Sequence, residues 1–152
     1  MVQDKMAKRL RVAVYCRFKA GGDEQFNSGN LQTEHYARYI QSKPEWEFAG
    51  VYADEGAGKR KPKRKRFKEM IRDALGGKID IIIVKSVTRF SRDARELLTT
   101  VRELKEKGVR VIFEMQGIDT ADPRHDSILS IFADVMEDEN RAVSKNIKWR
   151  VS

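Results

Sequence analysis

A chain of 152 residues, 40% hydrophobic and with a formal net charge of +8, suits one compact domain with its own core. Its longest apolar run is about five residues, far below the roughly 20 that span a bilayer, and the N-terminus has no apolar signal core. Cys16 is the single cysteine, which excludes an intramolecular disulfide and a secreted disulfide framework; the expected setting is the cytoplasm.

After a charged lead, "RVAVYC" (Arg11 to Cys16) is a β-branched run of strand length, and Gly21-Gly22 marks the loop behind it. "LQTEHYARYIQSK" carries Leu31, His35, Tyr36, Tyr39 and Ile40 on a helical stripe, with Pro44 just beyond its end, and predicts a helix. "EFAGVYAD" predicts a second strand ending at Asp54. The following "EGAGKRKPKRKR" has no periodicity and predicts a mobile loop.

A short helix is expected from Arg66 to Leu75, with Phe67, Met70, Ile71, Ala74 and Leu75 on its apolar face and Gly76-Gly77 closing it. "IDIIIV" is the most apolar segment, as a central strand buried on both faces should be. "ARELLTTVRELKEKG" sets Leu97, Leu98, Val101 and Leu104 on one face and ends at Gly108, predicting an amphipathic helix. "VRVIFE" is the next strand. Strands alternating with helices imply an α/β domain whose parallel sheet is covered on both sides. A final helix, capped by Asp126 or Ser127, is expected to run to about Val151. Its first half bears Ile128, Leu129, Ile131, Phe132, Val135 and Met136, more apolar surface than one small sheet covers. These residues pack on their own domain or on a partner subunit.

The basicity is local. "KRKPKRKRFK", Lys59 to Lys68, holds eight Lys or Arg and no acid, so the remainder of the chain is close to neutral. Such a run is a solvated loop or a surface for a polyanion such as nucleic acid, or for an anionic membrane surface. Lys59, Arg60, Lys61, Lys63, Arg64, Lys65 and Lys68 are its candidate DNA-binding residues.

In open α/β sheets, ligands gather beyond the carboxyl ends of the strands. Tyr15 and Arg17 leave strand one there, Asp54 leaves strand two, Lys85, Arg89 and Arg92 follow strand three, and Glu114 and Gln116 follow strand four. Arg89 and Arg92 share a face if that turn is helical. Guanidinium forks grip phosphate oxygens, and a cluster of them would stabilise a pentacoordinate phosphoryl group without a metal. The competing reading is a set of surface salt bridges to Asp54, Asp80 and Asp93. His35 and His125 have no ligand-spaced partners, so no metal is expected. A Walker loop and a strand-terminal GxGxxG are both lacking, and no cofactor is expected. Cys16 beside Arg17 belongs to an apolar strand and reads as a small structural residue before it reads as a nucleophile.

With these residues assembled, the chain resembles the catalytic domain of serine recombinases, the resolvase and invertase family, and especially the large serine integrases and transposon recombinases. The resemblance runs from about Arg11 to Trp149. It rests on "YCR", on "DEQ" followed by Ser28 and Gln32, on "YADEGAG", on Asp80 with "VKSVTRFSRD", and on the late "ENRAVSKNIKW". The implied fold is a three-layer α/β/α domain with a mixed five-stranded sheet, the last short strand antiparallel and supplied by "GIDT", Gly117 to Thr120. The division it implies is a catalytic core over residues 1–125 and a long helix over 126–152 for dimer and tetramer assembly.

Family members cut both strands of double-stranded DNA with a serine hydroxyl, hold the ends as phosphoserine esters and rejoin them without metal or cofactor. By resemblance, Arg17, Arg66, Arg89 and Arg92 contact the scissile phosphate, while Gln25, Asp80 and Arg141 shape or support the site and Asp54 takes a structural place. Thr88 stands where small resolvases carry an acid. The family reads Y-x-R-V-S-T where this chain has Phe18, Lys19 and Ala20, so Lys19 occupies the nucleophile position and cleavage is expected to be impaired. Ser28 is the nearest hydroxyl downstream. A non-cleaving DNA-binding or assembly subunit is the alternative, and a receiver-like signalling domain built around Asp54 is the remote one. A prokaryotic or mobile-element origin is expected, with the DNA-sequence reader on a longer parent protein because neither a helix-turn-helix nor a zinc ribbon follows Val151.

Overall fold

The computed structural model describes the backbone at residues 9–18, 33–55 and 64–151, and the side chains of these residues apart from 18 and 139–151. In chain order the described elements are β1 (Leu10–Phe18), α1 (33–41), β2 (Trp46–Glu55), α2 (Lys65–Leu75), β3 (Ile81–Val84), a one-turn helix α3 (Val87–Phe90), α4 (Ala94–Glu106), β4 (Arg110–Phe113), β5 (Ile118–Asp119) and α5 (Asp126–Val151).

The strands form one sheet in the order β2-β1-β3-β4-β5, parallel except for the final antiparallel β4–β5 pair. Alternation along β1 explains the three layers, because successive side chains leave a strand on opposite faces. Val12 and Val14 join Ile81 and Ile83 beneath Tyr36 and Ile40 of α1. Ala13 and Tyr15 face the other way, into a larger core with Phe67 and Met70 of α2, Leu97 and Leu104 of α4, and Leu129 and Met136 of α5. All four residues of β3 are buried, as its unbroken apolar run requires.

The register of β1 against β2 slips between Val12 and Ala13, where Val12 pairs with Phe48 and Ala13 with Gly50. Gly50 sits at φ +121°, a conformation that side chains with a Cβ rarely adopt, so this glycine makes the bulge affordable. Beyond the bulge the register brings Arg17 level with Asp54. α4 begins at Asp93, whose carboxylate accepts from the amides of Arg95 and Glu96, and stops at a Gly108 with φ +78°.

The final helix is entered through a 3₁₀ turn, Pro123–His125, which Asp122 caps, and Asp126 is already the first residue of the helix. Its 26 residues give a rod of about 39 Å. Leu129, Ala133 and Met136 pack on their own domain, whereas Ile128, Ile131 and Val135 are exposed. The apolar residues of its first half are thus divided between core and surface. Among the described residues no helix is long and apolar enough to cross a membrane.

Candidate phosphate-binding site

The carboxyl edge of the parallel strands is organised by Asp54 at the end of β2. Its carboxylate is buried and accepts three hydrogen bonds, from Tyr15 Oη at 2.8 Å, Arg66 N at 2.9 Å and Phe67 N at 3.0 Å. Two of these donors are amides from the first turn of α2, so Asp54 caps that helix from a neighbouring strand. Burial, followed by the bond to Asp54, pushes the Tyr15 hydroxyl upward and keeps it protonated as a donor. A carboxylate used this fully is no phosphoacceptor, and the receiver-like alternative is thereby set aside.

Around this anchor the fold gathers guanidinium groups. Arg17 is buried at the end of β1, and burial pushes its guanidinium below its ordinary range, with Arg64, Arg92 and Arg89 pushing the same way and Tyr15 opposing. Arg17 thus feels three neighbouring guanidiniums, an arrangement that favours an incoming anion. Arg89 donates through Nη1 to the Arg17 carbonyl at 3.0 Å, tying the end of β1 to α3. α3 is itself held by Ser86, whose hydroxyl accepts from Arg89 N, and by Gln116, whose side-chain oxygen accepts from Val87 N at 3.1 Å. It ends at Phe90 and Ser91 is extended, so Arg92 follows the helix instead of sharing its face with Arg89.

Two of the expected site residues lie elsewhere. Arg66 pairs with Glu69 at 2.5 Å and stacks over Tyr52 at 4.9 Å, on the partly exposed side of α2. The residue that turns toward the cluster is Arg64. Its guanidinium lies 3.7 Å from the Phe67 ring centroid, donates through Nη2 to the Phe90 carbonyl and pairs through Nη1 with Glu96 at 2.9 Å. Tyr15, Phe67, Phe90 and Phe113 form a chain of edge-to-face rings beneath it, each pair 5.0 to 5.5 Å apart. Sequence reasoning placed Arg64 only in the basic run. The available signal was its position three residues before Phe67, the first buried residue of α2, which directs its stem toward the core.

Asp80 precedes β3 and receives the backbone amide and guanidinium of Arg11 at 2.8 to 3.3 Å. Arg11 and Arg17 are six residues apart on β1, about 20 Å at strand rise, so Asp80 lies at the opposite edge of the sheet and cannot touch a group held by Arg17. Of the acids weighed as salt-bridge partners, Asp54 and Asp93 accept from helix amides and Asp80 pairs with Arg11. Lys65 and Lys68 are exposed on α2. Lys19, Gln25, Ser28, Lys59, Arg60, Lys61 and Lys63 lie outside the described residues, as does the side chain of Arg141.

On the α1 side of the same edge, a cavity of about 530 Å³ is lined by Cys16, Arg17, His35, Tyr36, Lys85, Arg89 and Glu114 among others. Tyr36 donates its hydroxyl to Glu114 across it. Burial first, and then Glu114, push the Cys16 thiol up to about 11, against the opposing pull of Arg89 and Lys85. A thiol raised by about two units leaves roughly a hundredth of the usual thiolate. Cys16 should therefore react with iodoacetamide at pH 8 about 100-fold more slowly in the folded chain than in urea. Equal rates would remove Cys16 from the structural role. Among the described residues, no group of His, Cys, Asp and Glu side chains is placed to hold a metal ion.

The family model for the resolvase N-terminal domain matches residues 12–151, and the chain belongs to that family. Its fold is similar to that of a resolvase family site-specific recombinase from Streptococcus pneumoniae, with 26% identity, a TM-score of 0.59, and 91% of this chain and 97% of that one covered. The N-terminal catalytic domain of TP901-1 integrase is similar at 24% identity and a TM-score of 0.59, covering 87% of this chain and 98% of that one. The C-terminal catalytic domain of ISC1926 TnpA, an IS607-like serine recombinase, shares the fold at 16% identity and a TM-score of 0.55, with 69% of each chain covered. Comparison with curated proteins gives no match.

Proposed function

We propose that this domain is the catalytic part of a site-specific DNA recombinase that grips a backbone phosphate of double-stranded DNA with Arg17, Arg64, Arg89 and Arg92. The observation that carries the reading is the convergence of these guanidiniums on one sheet edge, where Arg17 is buried among like charges. Guanidinium forks suit phosphate oxygens, and several of them at one sheet edge favour an incoming phosphate. The family match supports the reaction class, with a serine hydroxyl as the expected attacking group. Lys19 stands at that position, and an ammonium is no equivalent for a hydroxyl in forming a phosphoester. Strand cleavage is accordingly impaired in the chain as it stands. The same substitution favours a second reading, a subunit that binds DNA and assembles without cutting it.

α5 is the proposed assembly element, joining copies through exposed Ile128, Ile131 and Val135. The run from Lys59 to Lys68 is the proposed approach surface for the duplex, working through phosphates because it has no amide or aromatic base readers beyond Phe67, which is buried. Substituting Lys59, Lys61, Lys63 and Lys65 with Gln should flatten the dependence of duplex affinity on salt, lowering the log–log slope by about three to four. Fluorescence anisotropy across a salt series measures it. Identical slopes for the two proteins would remove the run from the interface.

A further inference from the structure

Arg64 already holds an anion. Its Nη1 meets the Glu96 carboxylate at 2.9 Å, its Nη2 is anchored on the Phe90 carbonyl, its face is covered by Phe67, and its Nε is buried without a hydrogen-bond partner. A guanidinium grips phosphate through a pair of adjacent N–H groups, and here one arm of the fork is committed to a carboxylate. The two partners differ in freedom: the Arg64 side chain is 16% exposed, that of Glu96 47%. Glu96 stands in the first turn of α4, where the helix dipole favours a negative charge even when its partner leaves. It can swing into water at small cost, whereas Arg64 is pinned between α2 and α3.

We propose that Glu96 is the resident counter-anion of Arg64, steadying it beside Arg17 in the unbound domain and giving way when a phosphate group enters the cluster. The inference rests on the phosphate-binding reading of the arginines and adds to it a residue that competes with the ligand. Glu96 offsets part of the repulsion among Arg64, Arg17, Arg89 and Arg92 while no phosphate is present, so the domain folds without one. The phosphate then exchanges with a carboxylate instead of entering a bare cationic pocket. The cost of that exchange is a weaker grip on any phosphate not also held by the neighbouring arginines.

The test follows the Nε–H resonance of Arg64 in ¹⁵N-labelled chain during titration with inorganic phosphate, for the wild type, Glu96→Gln and Glu96→Asp. Glu96→Gln keeps the size of a half-exposed side chain, and the dispersion of the amide spectrum verifies its fold. The expected result is half-saturation at a phosphate concentration roughly two- to fivefold lower in Glu96→Gln, the range set by a partly exposed ion pair. Glu96→Asp, with its charge retained, should stay near the wild type. Equal or weaker binding by Glu96→Gln would overturn the proposal and leave Glu96 as an orienting group only. If phosphate moves Arg64 in no variant, the proposal and the phosphate reading fall together. If Glu96→Gln binds phosphate more tightly but the wild type ignores duplex DNA at low salt, the DNA reading fails and the counter-anion stands. Should Glu96→Gln not fold, Glu96→Ser carries the same comparison.

Discussion

Joined to a DNA-binding domain and offered a nicked suicide duplex, the chain with Lys19 should form no covalent protein–DNA adduct, whereas Phe18→Val, Lys19→Ser, Ala20→Thr together should form one. The reasoning is a division of labour. In the proposed site Arg17, Arg64, Arg89 and Arg92 would supply charge to a pentacoordinate phosphoryl group, and such preorganised donors accelerate only a reaction that has an attacking atom. A lysine, with a reference pKa near 10.4, is a cation at neutral pH and brings no hydroxyl. The restored hydroxyl should raise adduct from undetectable to readily measured on a denaturing gel, a gain of about 10²-fold or more for recovery of a nucleophile. An adduct from the unaltered chain would refute impaired cleavage, and peptide mapping would reveal whether Ser28 carried it. A silent triple variant that folds and binds DNA would mean that the arginine site cannot perform the chemistry.

Asp54→Ala should be the most destabilising single change at the site, at about 3 kcal/mol. The substitution removes the cap on two α2 amides, a loss of about 1 to 2 kcal/mol, and strands the buried Tyr15 hydroxyl for about as much again. Against a total stability of about 5 to 15 kcal/mol this is a large fraction, and the midpoint of thermal unfolding should fall by roughly 10 °C. Tyr15→Phe, which removes one donor and leaves the cap, should cost only about 1 kcal/mol. The pair of values separates capping from the tyrosine bond. A loss below about 1 kcal/mol for Asp54→Ala would show that water takes over the amides. Because Asp54 fixes where α2 begins, the same variant should also weaken phosphate binding through the displacement of Arg64.

The strands and most helices were legible in the sequence because their signals are local. The short, β-branched apolar run "IIIV" reads as a buried strand, and the spacing of Leu97, Val101 and Leu104 as one helical face. The placement of Arg17, Arg89 and Arg92 at one sheet edge followed from the same logic, since parallel strands share a carboxyl end. The location of Asp80 was legible on those terms too, because a residue before β3 belongs to the opposite edge, yet the resemblance drew it toward the site.

Tertiary structure alone decided between Arg64 and Arg66. The two differ by two residues in a uniformly basic run, and which one faces inward depends on the phase of α2, set by Asp54 some ten residues earlier on another element. The Gly50 bulge, which brings Asp54 level with Arg17, depends equally on a pairing between strands more than thirty residues apart. So does the match of Arg64 with Glu96, 32 residues away. Periodicity records which face of an element is buried, but a side chain's partner is chosen by register and helix phase, and these are fixed only when the elements meet.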